Sequence, residues 1–189
     1  MNSKSEILKK IRSYDLKEHP LPNIPSFDTG FNSIDLFRTQ LEKNGARLTD
    51  DFSQNYFEKN FGTDCKIISC YSGFEGNVAP SALTKPHDLE GVEVGILKAE
   101  FGVAENGALW VEFAGLPFRV IPFIVDHLVV ILSAKSILLN MHEAYKQVRL
   151  RESGFGCFIS GPSKTADIEQ SLVIGAHGPL SFHVMLEDQ

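Results

Sequence analysis

The sequence predicts an α/β fold, a mixed and mainly parallel sheet with helices on both faces. Three observations carry this. Strand-like and helix-like stretches alternate along most of the chain. Short apolar runs such as "CKIISCYS" and "HLVVIL" have the composition of buried strands. The Asn106-Gly107 turn between "EFGV" and "ALWVEF" is a strong hairpin signal and adds some antiparallel pairing.

Taken in order, "MNSKSEILKKIRSYDL" reads as an amphipathic helix without the apolar core of a signal peptide. The prolines of "EHPLPNIPSF" make an extended connector. "NSIDLFRTQLEKNG" places Ile34, Phe37 and Leu41 at helical spacing, and Asn44-Gly45 stops the helix. "ARLT" is a short strand, "DFSQNYFEKNF" a helix and "CKIISCYS" a strand. Residues 73–91, rich in Gly, Pro and polar side chains, form an irregular or mobile segment placed to cover a site. The hairpin follows, then the strand "HLVVIL" and a helix over "AKSILLNMHEAYKQVRL". "FGCFIS" is a strand, "SKTADIEQSLV" starts a helix, and "SFHVMLE" is the last strand.

Composition narrows the function classes. With 43% hydrophobic and 22% charged residues, the 189-residue chain can build a substantial core. A formal net charge of −6 disfavours nucleic acid, which needs a basic surface to displace counterions. It leaves small anions open, because local fields matter more for them. The run around "FIVDHLVVIL" is too short and interrupted to span a bilayer. Cys65, Cys70 and Cys157 have no clustered spacing, so no iron–sulfur or zinc site is expected in this chain. Reduced thiols in the cytoplasm are the simplest reading, with Cys70 and Cys157 as small buried hydrophobes. His19, His87, His142 and His183 lack paired metal-ligand spacing. His127 reads as a satisfied histidine at the core edge.

The chemistry concentrates in "FISGPSKTADIEQSLVIGAHGP" (158–179). A strand running through Gly161-Pro162 into a helix would put Ser160, Ser163, Lys164 and Thr165 at the carboxyl edge of the sheet, where ligands bind. The helix start would offer amides and a positive dipole end to a phosphate or carboxylate. The same residues, with Asp167 and Glu169 in the first turn, equally make an ordinary helix cap. His177, exposed between turn residues, suits an acid, base or anion partner, or bonds its own loop.

"VAENGALWVEF", "ISGPSKTADIE" and "GAHGP" together resemble the LUD domain family (LutC/YkgG-like). The resemblance covers the chain from about Val92 onwards. It implies a fold of the NagB/RpiA/CoA-transferase type and a domain division into 1–45, a helical segment with its Pro-rich connector, and 46–189, the LUD-like domain. It also implies a role in L-lactate utilisation as a non-redox subunit. Iron–sulfur clusters would then sit only on LutA/LutB-like partner proteins, with no cofactor in this chain and a homo-oligomer allowed. Asn106 and Ala108 replace the family's threonines, and Lys164 replaces an arginine, losing a bidentate fork.

The expected site has Glu105 and His177 as its reactive groups. Asn106, Gly107, Ser160, Gly161, Pro162, Ser163, Lys164, Thr165, Asp167 and Gly178 would bind the ligand. Glu105, Ser163 and His177 are expected to converge on one pocket. Two alternatives stand beside this. "AENG" also resembles the "SENG" motif of CoA-transferases, in which a glutamate attacks a thioester, so Glu105 could support acyl transfer or related carboxylate or phosphate chemistry. The pocket could instead be vestigial, leaving a binding or regulatory module.

Overall fold

The computed structural model describes residues 3–14, 20, 22, 25, 33–148, 154–166, 172–175 and 177–187. The chain divides into two compact units, Met1–Gly30 and Phe31–Gln189. In the first, helix α1 (Ser3–Arg12) has Glu6 in its first turn and Lys9, Lys10 and Arg12 in its last, matching the helix dipole. None of its residues is buried.

The second unit begins with α2 (Ser33–Lys43), β1 (Arg47–Thr49), α3 (Gln54–Phe61) and β2 (Ile67–Ser69). Then come β3 (Val94–Lys98), β4 (Phe101–Val103), β5 (Ala108–Glu112), α4 (Ile121–Ile124), β6 (His127–Ser133) and β7 (Ile137–Leu138). The last elements are α5 (Met141–Gln147), β8 (Gly156–Ile159), β9 (Lys164–Ala166), β10 (Leu172–Ile174) and β11 (Ser181–Glu187). Phe37 and Leu41 of α2 are fully buried in the core of this unit, so α2 belongs to the α/β body and not to the N-terminal segment.

The main sheet has five strands in the order β1-β11-β6-β3-β2, all parallel. Its central strands are apolar at nearly every position because both faces are covered. The pleat sends Leu128, Val130, Phe182 and Val184 to one face, where they meet α2 and Ile121 of α4. Val129, Ile131, Ile96 and Met185 face the other way and meet Phe57 of α3. Burying each of these large side chains contributes about 1.5–3 kcal/mol. A second sheet, β7-β4-β5-β8, is built around the expected hairpin: β4–β5 and β5–β8 are antiparallel, β4–β7 parallel. The mixed α/β architecture is the expected one.

Two local expectations are corrected. Residues 164–166 and 172–174 are strands and not the start of a helix; β9 and β10 form an antiparallel pair, with Thr165 opposite Val173. The Ser163 amide donates to the Pro179 carbonyl and the Ser163 carbonyl accepts from the Gly175 amide. Those long-range bonds occupy both backbone groups of Ser163, so its cap signal loses to strand pairing. Asp167 and Glu169 themselves lie outside the described residues. The helix expected from Ala134 begins only at Met141. Ile137 and Leu138 instead pair with Gly102 and Val103, and Asn140 caps α5 through the Glu143 amide.

Residues 73–91 are irregular, as expected, but well anchored. Val78 bridges Ile68, and the Asn77 side chain accepts from the Ile67 amide and donates to the Cys65 carbonyl.

Candidate functional site

The turn joining β4 to β5 is the foundation of the site. Gly107 has φ +67°, a conformation that costs glycine little, and its amide donates to the Val103 carbonyl. The Asn106 side chain turns back to accept from the Ala108 amide at 3.0 Å. This leaves the Asn106 carbonyl pointing outward, and two side chains from distant segments meet it. Asn44 Nδ2 donates to it at 2.8 Å, and the Ser160 hydroxyl donates at 3.0 Å. Asn44 Nδ2 also donates to Ser160 Oγ at 2.7 Å. The hydrogens are sufficient, because an amide NH2 has two and a hydroxyl one.

Glycines make room for this triangle. A Cβ at Gly107 would lie 3.2 Å from Asn44 Nδ2, and one at Gly161 only 2.6 Å from the Asn44 carbonyl oxygen. Asn44, which the sequence reading treats only as a helix stop, therefore ties the 105–107 turn to the 160–161 segment. Its dual role was signalled only by the Asn-Gly pair itself, which does not disclose a partner 116 positions away. Removing it in Asn44→Ala is expected to lower unfolding free energy by about 0.5–1.5 kcal/mol for each bond lost, because Ser160 still donates to the Asn106 carbonyl. Asn44→Asp should fall at least as far, because a carboxylate would face the Asn106 carbonyl. Urea denaturation of both variants checks this; an unchanged Asn44→Asp midpoint would contradict the bonding described.

Glu105 is exposed, and its carboxylate accepts from the Met141 amide at 2.8 Å. Its own amide donates to the Leu139 carbonyl, while Glu143 accepts from the Leu139 amide. Glu105 is thus fastened to the β7–α5 connection. Ser163 instead sits beside Gly178: a Cβ at Gly178 would lie 3.1 Å from Ser163 Cβ and 3.9 Å from the Phe123 carbonyl oxygen. Pro162 is buried, within 3.7 Å of a Cβ placed on Gly45, and Lys164 runs past the same glycine with its head exposed. His177 is exposed in the adjoining turn. Thr165 lies on β9, and Asp167 is outside the described residues.

The sequence-predicted residues therefore fall into two adjoining groups. Glu105, Asn106, Gly107, Ser160 and Gly161 gather around Asn44; Ser163, Gly178 and the His177 turn gather around the Ser163–Pro179 bond. The segment 160–163 joins them. The side chains of Ser163, Lys164 and His177 have no hydrogen-bond partner among the described residues. A hydroxyl, an ammonium and an imidazole left uncommitted on one segment and its neighbouring turn suit an anionic ligand.

The cysteines are not poised as nucleophiles. Burial pushes the Cys70 thiol up to about 11 and also raises Cys157 and Cys65, which opposes thiolate chemistry. His127 accepts or donates at Ser181 Oγ, 2.8 Å away, as expected of a satisfied core-edge histidine. No helix among the described residues is long and apolar enough to cross a membrane.

Comparison with known proteins agrees with this frame. The LUD domain profile matches residues 10–186. Lactate utilization protein C of Shouchella clausii is 32% identical over 104 residues, covering 51% of this chain and 45% of that one. Lactate utilization protein C of Geobacillus thermodenitrificans is 33% identical over 107 residues, covering 53% and 45%. The uncharacterized protein YkgG of Escherichia coli K12 is 31% identical over 106 residues, covering 52% and 46%. The chain spans about half the length of the curated relatives it matches. A crystal structure of a DUF162 family protein from Deinococcus radiodurans superimposes with a TM-score of 0.61 at 13% identity, over 82% of this chain and 95% of that one. The likeness extends to the fold, and with a family profile spanning nearly the whole sequence, the chain belongs to the LUD domain family.

Proposed function

We propose that this chain is a LutC-like component of an L-lactate utilisation system, acting in the cytoplasm as a non-redox subunit. In this reading a small anion or a partner group binds at Ser163, Lys164 and His177. Electrons pass through iron–sulfur clusters on LutA/LutB-like partners, and this chain carries no cofactor. The observation that carries the reading is the similarity to relatives named Lactate utilization protein C over about half of the chain.

Glu105 has a supporting part here. With one carboxylate oxygen held by the Met141 amide, it fixes the hairpin against α5. Acyl transfer through Glu105 would require that carboxylate to turn away from this bond and attack a thioester.

Deletion of the gene is expected to slow growth on L-lactate and leave growth on glucose unchanged. The wild-type chain should restore growth, and a Ser163→Ala, Lys164→Ala, His177→Ala triple variant should not, although it folds. Normal growth of the deletion strain on L-lactate sinks the proposal. Full rescue by the triple variant removes those three side chains from it.

A further inference from the structure

A partly buried row of polar side chains crosses the face of the main sheet that α3 covers. Tyr56 Oη lies 2.7 Å from His183 Nδ1, His183 Nε2 lies 3.1 Å from Ser181 Oγ, and Ser181 Oγ lies 2.8 Å from His127 Nδ1. The strand register explains the row. Ser181 pairs with His127, and His183 stands two residues on, so all three leave the sheet on one face. Phe61 packs against both imidazoles, with ring centroids 5.1 and 4.9 Å away, and His183 is only 1% exposed.

The chemistry of these groups restricts how the row can be ordered. A hydroxyl has one hydrogen, and a neutral imidazole has one N–H. With all three bonds formed and the Ser181 hydrogen kept inside the row, only two arrangements exist. In the inward one, Tyr56 donates to His183, His183 to Ser181, and Ser181 to His127. In the outward one each bond is reversed, and the Tyr56 hydrogen points away from His183. A phenol is the better donor and an imidazole nitrogen the better acceptor, so a neutral row runs inward. A protonated His127 carries hydrogen on both nitrogens, so it must donate to Ser181, and with the Ser181 hydrogen kept in the row only the outward order remains.

The surroundings decide which histidine takes the charge. Burial disfavours it at His127, but Asp126 and Glu93 both favour it there. His183 is more deeply buried and faces Arg47 of β1 and His127 of β6, both of which oppose a charge, with Tyr56 of α3 as its other neighbour. His127 is therefore the member that titrates first.

We propose that His127, Ser181, His183 and Tyr56 form a hydrogen-bond relay that converts the charge state of His127 into the direction of the Tyr56 hydroxyl. Tyr56 lines a groove of about 560 Å³ between β1 and α3, together with Arg47, Asn55 and Lys59. The relay sets whether that groove is offered a donor or an acceptor at Tyr56.

Ring-nitrogen NMR of the ¹⁵N-labelled full chain between about pH 5 and 8 tests this. His183 is expected to hold its hydrogen on Nδ1 while His127 is charged. It should shift to the Nε2 form with the same midpoint as His127 loses its proton. Ser181→Ala should uncouple the two rings. His127→Gln, which keeps a polar side chain in place, should make the His183 signals independent of pH and covers the case in which Ser181→Ala does not fold. Flat His183 signals through the His127 titration of the wild-type chain overturn the relay, as does unchanged coupling in Ser181→Ala.

Discussion

Gly161→Ala is expected to lower unfolding free energy by about 2–4 kcal/mol and to disconnect the two halves of the candidate site. Gly161 has φ +92°, and a Cβ there would meet the Asn44 carbonyl oxygen at 2.6 Å and Asn44 Cβ at 3.3 Å. The 2.6 Å clash is with backbone, so relief requires the α2–β1 junction or the 160–163 segment to move. Either movement lengthens the bonds that Asn44 makes to Asn106 and Ser160. Gly62→Ala is the matched control, because Gly62 has φ +97° and nothing within 4 Å of its Cβ position. It carries the backbone strain alone, about 1–3 kcal/mol at φ +97° and ψ 162°. Urea unfolding of both proteins separates the contributions. If Gly161→Ala costs no more than Gly62→Ala, close packing against Asn44 has no energetic weight.

Acid should cost the fold about 3 kcal/mol through His183 alone, spread between pH 6.5 and about 4. Burial, and then the Arg47 and His127 charges, hold this imidazole neutral and lower its pKa from 6.5 to about 4. Above pH 6.5 the histidine is neutral in both folded and unfolded chains, and its contribution is fully present. As pH falls below 6.5 the unfolded chain takes up a proton that the folded chain refuses, so stability declines. The decline ends once the folded histidine is protonated near 4. His127 is shifted in the same direction and adds to the loss. Glu187, held low first by the Tyr71 hydroxyl and also by Lys98, loses its contribution only below its ordinary value of 4.5. Urea midpoints measured from pH 7.5 down to 4.5 should fall in the wild-type chain and flatten in His183→Gln. A wild-type midpoint constant over that range would show that His183 is not held neutral.

Much of the fold was legible in the residues. Apolar runs such as "HLVVIL" became the central parallel strands, and the Asn106-Gly107 turn became the β4–β5 hairpin. These features are local: an uninterrupted apolar run needs two covered faces, and a positive-φ turn needs glycine. The failures share one cause. Ser163-Lys164-Thr165 resembles a helix start, and Ile137-Leu138 resembles helix interior. Lys164-Thr165 and Ile137-Leu138 are nonetheless drawn into strand pairing, with β10 and with β4, by hydrogen bonds between positions a local reading cannot relate. A few tenths of a kcal/mol per residue in helix propensity cannot outweigh a paired strand with its buried contacts.

The site divides in the same way. Motif and composition alone determined which residues carry polar chemistry: Glu105, Ser160, Ser163, Lys164 and His177, grouped by their resemblance to one family. Only the tertiary structure decided how they are held. It fastened Glu105 to Met141, gathered Ser160 and Asn106 onto Asn44, and left Ser163 beside the His177 turn. It also aligned Tyr56, His127, Ser181 and His183 into one partly buried row, although no spacing in the chain marks them as a set. Residue type sets what a side chain can donate or accept. Which partner it meets depends on strand register and close packing, and those are properties of the whole fold.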